Sequence, residues 1–164
     1  MVNGWFHRYF LLSFIIGRRH CTLRLTRHHG AKMTPLFKKL NVASQSKLVI
    51  LNAPDSFTSE TAQLTDYRIE TSLAKVKTFQ FALVFATSQA EVDHYSAALH
   101  DKADGDALLW FAYPKGSSKK YRCDFNRDTG WNLLRSYGYD SVRMIAIDAD
   151  WSALRFRKNE FIGK

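Results

Sequence analysis

The side chains able to do chemistry are few and do not assemble into a known catalytic set. Cys21 and Cys123 are the only cysteines, too few for a disulfide framework or a four-ligand zinc site. Cys123 sits beside Arg122 and just before a predicted helix opening at Asp124, a setting that lowers a thiol pKa. His94 and His100 are six residues apart, so on one helix they face different ways and form no i, i+4 metal pair. The sequence calls for no metal. Lys115, Lys119, Lys120 and Arg122 gather around Gly116-Ser117-Ser118 without an intervening carboxylate, a loop able to touch phosphate. Asn52, Asp55, Thr87, Ser88 and Lys115 follow apolar runs, where an open α/β sheet presents polar groups to a small ligand. Asn52 and Ser88 can equally serve only as turn and cap.

The elements that would carry these residues are legible from periodicity. Thr34 before Pro35 is an N-cap with proline in the first turn, opening a short helix through Leu36, Phe37 and Leu40. Residues 48–51, 79–86 (apart from Gln80) and 107–113 are apolar runs typical of strands covered on both faces, whereas 67–70 alternates as an edge strand does. Residues 56–64 predict a short crossover helix. Ser88 and Glu91 form a capping box ahead of Val92, Tyr95 and Leu99, and Gly105 is placed to end that helix. A second helix is expected from Asp124 through Trp131 and Leu134 to Gly138, with Gly130 inside it. Residues 142–147 and 151–158 are joined by three residues, too few for a parallel crossover, so they pair as an antiparallel hairpin. Trp151, Leu154 and Phe156 are expected inward, and Arg155 and Arg157 outward.

Composition fits this plan. At 164 residues, with 46% hydrophobic, 14% aromatic and 24% charged residues, the chain is neither disordered, collagenous nor coiled-coil. The net charge is +9, and the first acidic residue is Asp55. Residues 1–32 hold Arg8, Arg18, Arg19, Arg24, Arg27 and Lys32 and no carboxylate. Their apolar run, 9–16, falls short of the ~20 residues of a membrane span. This basic N-terminal extension is expected to be disordered or outside the fold, either as a transit segment or because Met33 opens the folded protein. Residues 33–164 are expected to form one α/β domain, and low cysteine usage points to the cytoplasm.

The order of elements and the terminal hairpin resemble the Rossmann-like sheet of class I S-adenosylmethionine-dependent methyltransferases. The resemblance implies a three-layer α/β fold with a mostly parallel sheet. That superfamily follows its first strand with a glycine-rich turn, whereas this chain has Asn52-Ala53-Pro54-Asp55-Ser56, so the cofactor is not expected to bind. Segments 36–40 (LFKKL), 49–54 (VILNAP), 109–115 (LWFAYPK) and 148–156 (DADWSALRF) resemble a family of short, mainly bacterial proteins forming a domain of unknown function. Tyr113 and Ala153 depart from that family's usual Trp and Gly. The resemblance implies a fold and no reaction. The sequence therefore predicts a non-catalytic or regulatory relative of methyltransferase-like folds that needs no cofactor. Two alternatives stay open, an enzyme holding a nucleotide-like cofactor at the carboxyl ends of the strands and weak nucleic-acid or anion contact by the 115–122 loop.

Overall fold

The computed structural model describes residues 33–164, and the reading of residues 1–32 lies outside them. The element order is α1 (Pro35–Lys39), β1 (Lys47–Leu51), α2 (Thr58–Thr61), β2 (Arg68–Glu70), β3 (Phe79–Phe85), α3 (Gln89–Leu99), β4 (Ala103–Pro114), α4 (Asn132–Ser136), β5 (Tyr139–Ala146) and β6 (Trp151–Lys158). The strands form one six-stranded sheet in the order β2-β1-β3-β4-β6-β5. The first four are parallel, and β6 runs antiparallel to both β4 and β5. This is the Rossmann-like α/β sheet with a C-terminal antiparallel hairpin that the sequence predicts.

Helices cover both faces because the inner strands are apolar on both. On one face Leu36, Phe37 and Leu40 of the α1 region and Phe57 before α2 pack on Leu48, Ile50, Phe81, Leu83, Trp110 and Ala153. On the other, Val92 and Leu99 of α3, Leu134 of α4 and Trp131 pack on Val49, Val84, Leu109, Phe111 and Phe156. Trp110, Trp131 and Trp151 are all core residues, at 0%, 1% and 2% exposure. The Trp110 indole donates to Leu40 O (3.1 Å), fixing α1 to β4. The link from β2 to β3 crosses β1 with only a single 3₁₀ turn, Leu73–Lys75, since so short a segment must stay nearly extended.

Three local expectations need correction. Gly105 does not end α3; it lies within β4 at φ +60°, and the helix stops at His100. No helix opens at Asp124. The Asn126 side chain accepts from the Asp128 and Thr129 amides, and Gly130 adopts φ +95°, so the chain turns until Asn132. A Cβ on Gly130 would come within 2.7 Å of Gln89 Oε1 and of Phe125 Cβ, so the close approach is to α3 and Phe125, not within a helix. Arg155 is not outward either, its side chain being 15% exposed. The alternation puts Trp151, Ala153 and Arg155 on one face of β6 and Leu154 and Phe156 on the other, and both faces are covered.

Candidate functional site

Strand order reverses between β1 and β3, so the crevice at their carboxyl ends is where this architecture receives ligands. Here the crevice is bridged. Asn52, just past β1, holds φ +54°, a left-handed conformation that Asn tolerates better than most residues. Its Nδ2 donates to Phe85 O on β3 (3.0 Å) and to Glu91 Oε1 on α3 (3.1 Å). Glu91 Oε2 accepts from Thr87 N (2.7 Å), Thr87 Oγ1 (3.1 Å) and Ser88 N (3.2 Å), and Ser88 Oγ accepts from Glu91 N (3.3 Å). Burial alone would raise the Glu91 carboxyl, but the donors from Thr87, Ser88 and Asn52 outweigh it and hold the group below its ordinary value.

Asn52, Thr87 and Ser88 are thus brought together as the sequence suggests, by a carboxylate first recognised only as a helix cap. The signal missed was that a left-handed Asn at a strand end can reach the neighbouring strand's capping box. Asp55 stands apart, exposed in the first turn of a 3₁₀ segment, Asp55–Phe57. Lys115 belongs to a different group. Its backbone amide donates to Asp150 O (2.7 Å) and its ammonium to Asp148 O, so it fastens β4 to the β5–β6 turn.

The 115–122 loop is built around Ser118, which is 4% exposed. Its hydroxyl donates to Asp150 Oδ1 (2.7 Å) and accepts from the Lys120 and Tyr121 amides. Lys119, Lys120 and Arg122 are exposed, and the Lys120 ammonium lies 5.1 Å from the centre of the Tyr121 ring. Carboxylates that the sequence separates from this loop meet it in space. The loop does not lead into a helix at Asp124, whose carboxylate instead accepts from the Gln89 amide, the first of α3 (2.7 Å). A cavity of about 370 Å³ beneath the loop is lined by Lys115, Arg122, Arg127, Tyr113 and Cys123. The Cys123 thiol is pushed up by burial, against a bond to Phe125 O (3.0 Å), and Asp124 adds to the rise. The expected lowering is therefore reversed, because no cation pairs with the sulfur among the described residues. His94 is exposed, His100 stacks on Tyr137 with centroids 3.7 Å apart, and no metal-binding cluster occurs among the described residues.

A second space, about 590 Å³, opens at the carboxyl ends of β1 and β2, lined by Ile50, Asn52, Pro54, Phe57, Thr58, Thr61 and Thr71 among others. At the end of β2, Glu70 has a side chain only 8% exposed, with Arg68 at 3.6 Å and Lys75 at 4.0 Å. The sequence reading passed over Glu70 as the charged position of an edge strand. No protein-family model matches the chain. No curated protein matches it in sequence. Solved structures similar to it include a ribosomal protein L11 methylase from Lactobacillus delbrueckii subsp. bulgaricus, with TM-score 0.47, 9% identity, and 75% of this chain and 77% of that chain covered. An S-adenosylmethionine-dependent methyltransferase from Clostridium acetobutylicum gives 0.46 and 6%, over 74% and 87% of the two chains. The fibrillarin pre-rRNA processing protein of Methanococcus jannaschii gives 0.46 and 8%, over 70% and 67%. At such identities no activity is carried over. No helix among the described residues is long and apolar enough to cross a membrane.

Proposed function

We propose that the chain is a non-catalytic relative of methyltransferase-like folds that binds a small, uncharged polar ligand between the carboxyl ends of β1 and β2. The observation that carries this reading is the Asn52 bridge. Where a glycine would leave the β1–β3 crevice open, the Asn52 side chain reaches across it, its Nδ2 donating to both Phe85 O and Glu91. The residues present thus do not fit S-adenosylmethionine in that crevice, and Pro54 further fixes the turn. The neighbouring cleft is of ligand size. Its lining offers threonine hydroxyls and one amide against apolar walls and no ionisable side chain, hence no general acid, general base or strong nucleophile.

Calorimetric titration with S-adenosylmethionine tests this reading. No saturable heat is expected, and a micromolar dissociation constant would overturn the proposal. One observation favours a second reading. Glu70 ends β2 about twenty residues after the β1 turn, where dinucleotide-binding folds place the carboxylate that accepts from ribose hydroxyls. Under that reading a nucleoside-bearing cofactor binds, and Glu70→Ala weakens it roughly tenfold or more, the loss of a hydrogen bond to a charged group. The same titration separates the two.

A further inference from the structure

At the end of the sheet opposite this rim, charge is in excess. Arg143 on β5 and Arg155 on β6 are Cα partners, and Arg157 follows two residues on, on the same face of β6. Like charges directly opposite across an antiparallel pair destabilise it. Asp106 is the one carboxylate within 4 Å of any of the three among the described residues. It takes Arg157 in a two-pronged pair (2.8 and 2.7 Å) and lies 4.0 Å from Arg155. Asp140, the register partner of Arg157, is 3.8 Å from Arg135 instead. Arg143 donates to a neutral acceptor, Asn41 Oδ1 (3.1 Å). Arg155 is largely buried, and its Nε has no partner among the described residues. Burial disfavours its charge; Asp106 opposes that, while Arg157 and Arg143 add to it.

Residues 1–54 contain no aspartate or glutamate. Three guanidinium groups against one carboxylate leave two positive charges; a terminal phosphate dianion supplies two negative ones, and the planar fork of an arginine can take two of its tetrahedrally arranged oxygens at once. We propose that Arg143, Arg155 and Arg157, steadied by Asp106 and Asn41, bind a terminal phosphate group at this margin of the sheet. The site lies apart from the cleft between β1 and β2 and does not depend on the reading of that cleft.

Melting and calorimetry of the full chain with inorganic phosphate, against chloride at matched ionic strength, test the assignment. Phosphate should stabilise saturably where chloride does not, and Arg155→Gln should weaken it roughly 10- to 100-fold. Without phosphate, Arg155→Gln should melt no lower than the parent, since it removes a repulsion. Arg143→Gln, at an exposed position, should give the same loss of affinity and serves if Arg155→Gln does not fold. Lys119→Ala with Lys120→Ala should leave the phosphate response intact. Phenyl phosphate should compete with inorganic phosphate, while a dinucleotide phosphodiester, carrying one charge, should bind at least ~10-fold more weakly. Equal effects of chloride and phosphate, an unchanged response in Arg143→Gln, loss of response in the lysine double variant, or equal affinity for the diester would each overturn the proposal.

Discussion

The two ends of this sheet handle polar groups in opposite ways. At the carboxyl ends of β1 and β3, Asn52, Thr87, Ser88 and Glu91 satisfy one another, and the Glu91 carboxylate alone accepts from four donor groups. Around Asp106 one carboxylate serves two arginines while a third stands beside them. A polar cluster that closes on itself gives rigidity and leaves little for a ligand. One that does not close carries a standing electrostatic cost, which a bound anion can remove.

The largest effect near the hydrogen-bonded end comes from the aromatic packing beneath it. Trp151 packs edge-on to Phe85 (5.1 Å between centroids) and against Tyr121 (4.9 Å). Trp151→Ala should cost ~3–5 kcal/mol in chemical denaturation. Trp151→Phe should cost much less than Trp151→Ala, because the indole N–H has no partner among the described residues. A loss for Trp151→Phe as large as for Trp151→Ala would mean that this N–H is bonded in solution.

Glu91→Ala comes next, at about 2 kcal/mol, from a lost cap and an orphaned Asn52 amide. Its pH dependence sharpens the contrast. Because the folded-state pKa is depressed, the contribution is present above the ordinary glutamate range and disappears as pH falls through the lower folded value. Parent and Glu91→Gln melting curves should therefore converge in acid, and a gap that persists there would show that the Glu91 charge does not stabilise this cluster.

At the other end, Asp106→Asn should cost ~1 kcal/mol, with the loss growing as salt is lowered, since three arginines are then left unopposed. The Asp106 carboxyl is held low first by the Arg157 hydrogen bond and then by the charges of Arg157 and Arg155, so this stability too is lost toward acid pH. A salt-independent difference would show that the arginines are already screened. The smallest effect concerns Cys123. With its thiol pushed up and half-buried, alkylation at neutral pH should be slower than for a free thiol, and Cys123→Ser should leave melting within about 1 kcal/mol. Rapid alkylation would restore the activated-thiol reading.

Periodicity located the strands because the covered runs at 48–51, 79–86 and 107–113 bury both faces, and a central parallel strand leaves no other pattern. The capping box at Ser88 and Glu91 was readable because both partners lie within one turn of α3. Residues 124–131 failed for the converse reason. Their apolar spacing suits a helix, but Phe125 and Trp131 reach the core from a turn shaped by Asn126 and Gly130, and tertiary packing overrides the local pattern. The rim was half legible. Asn52, Thr87 and Ser88 were named from their positions after strands, yet the bond from Asn52 to Glu91 spans 39 residues and no local spacing encodes it. The arginine cluster escaped notice because β5 carries a register irregularity between Ser141 and Arg143, which decides that Arg143 faces Arg155.

Asp124 reaches back 35 residues to accept from the Gln89 amide at the start of α3. The helix therefore owns one cap from its own sequence and borrows another from a distant loop. When that loop opens, the Gln89 N–H loses its acceptor while the bonds deeper in α3 persist. Its hydrogen exchange should follow the opening of residues 115–131 and not the unfolding of the helix. A single backbone amide thus becomes a clock for loop motion, readable without any substitution.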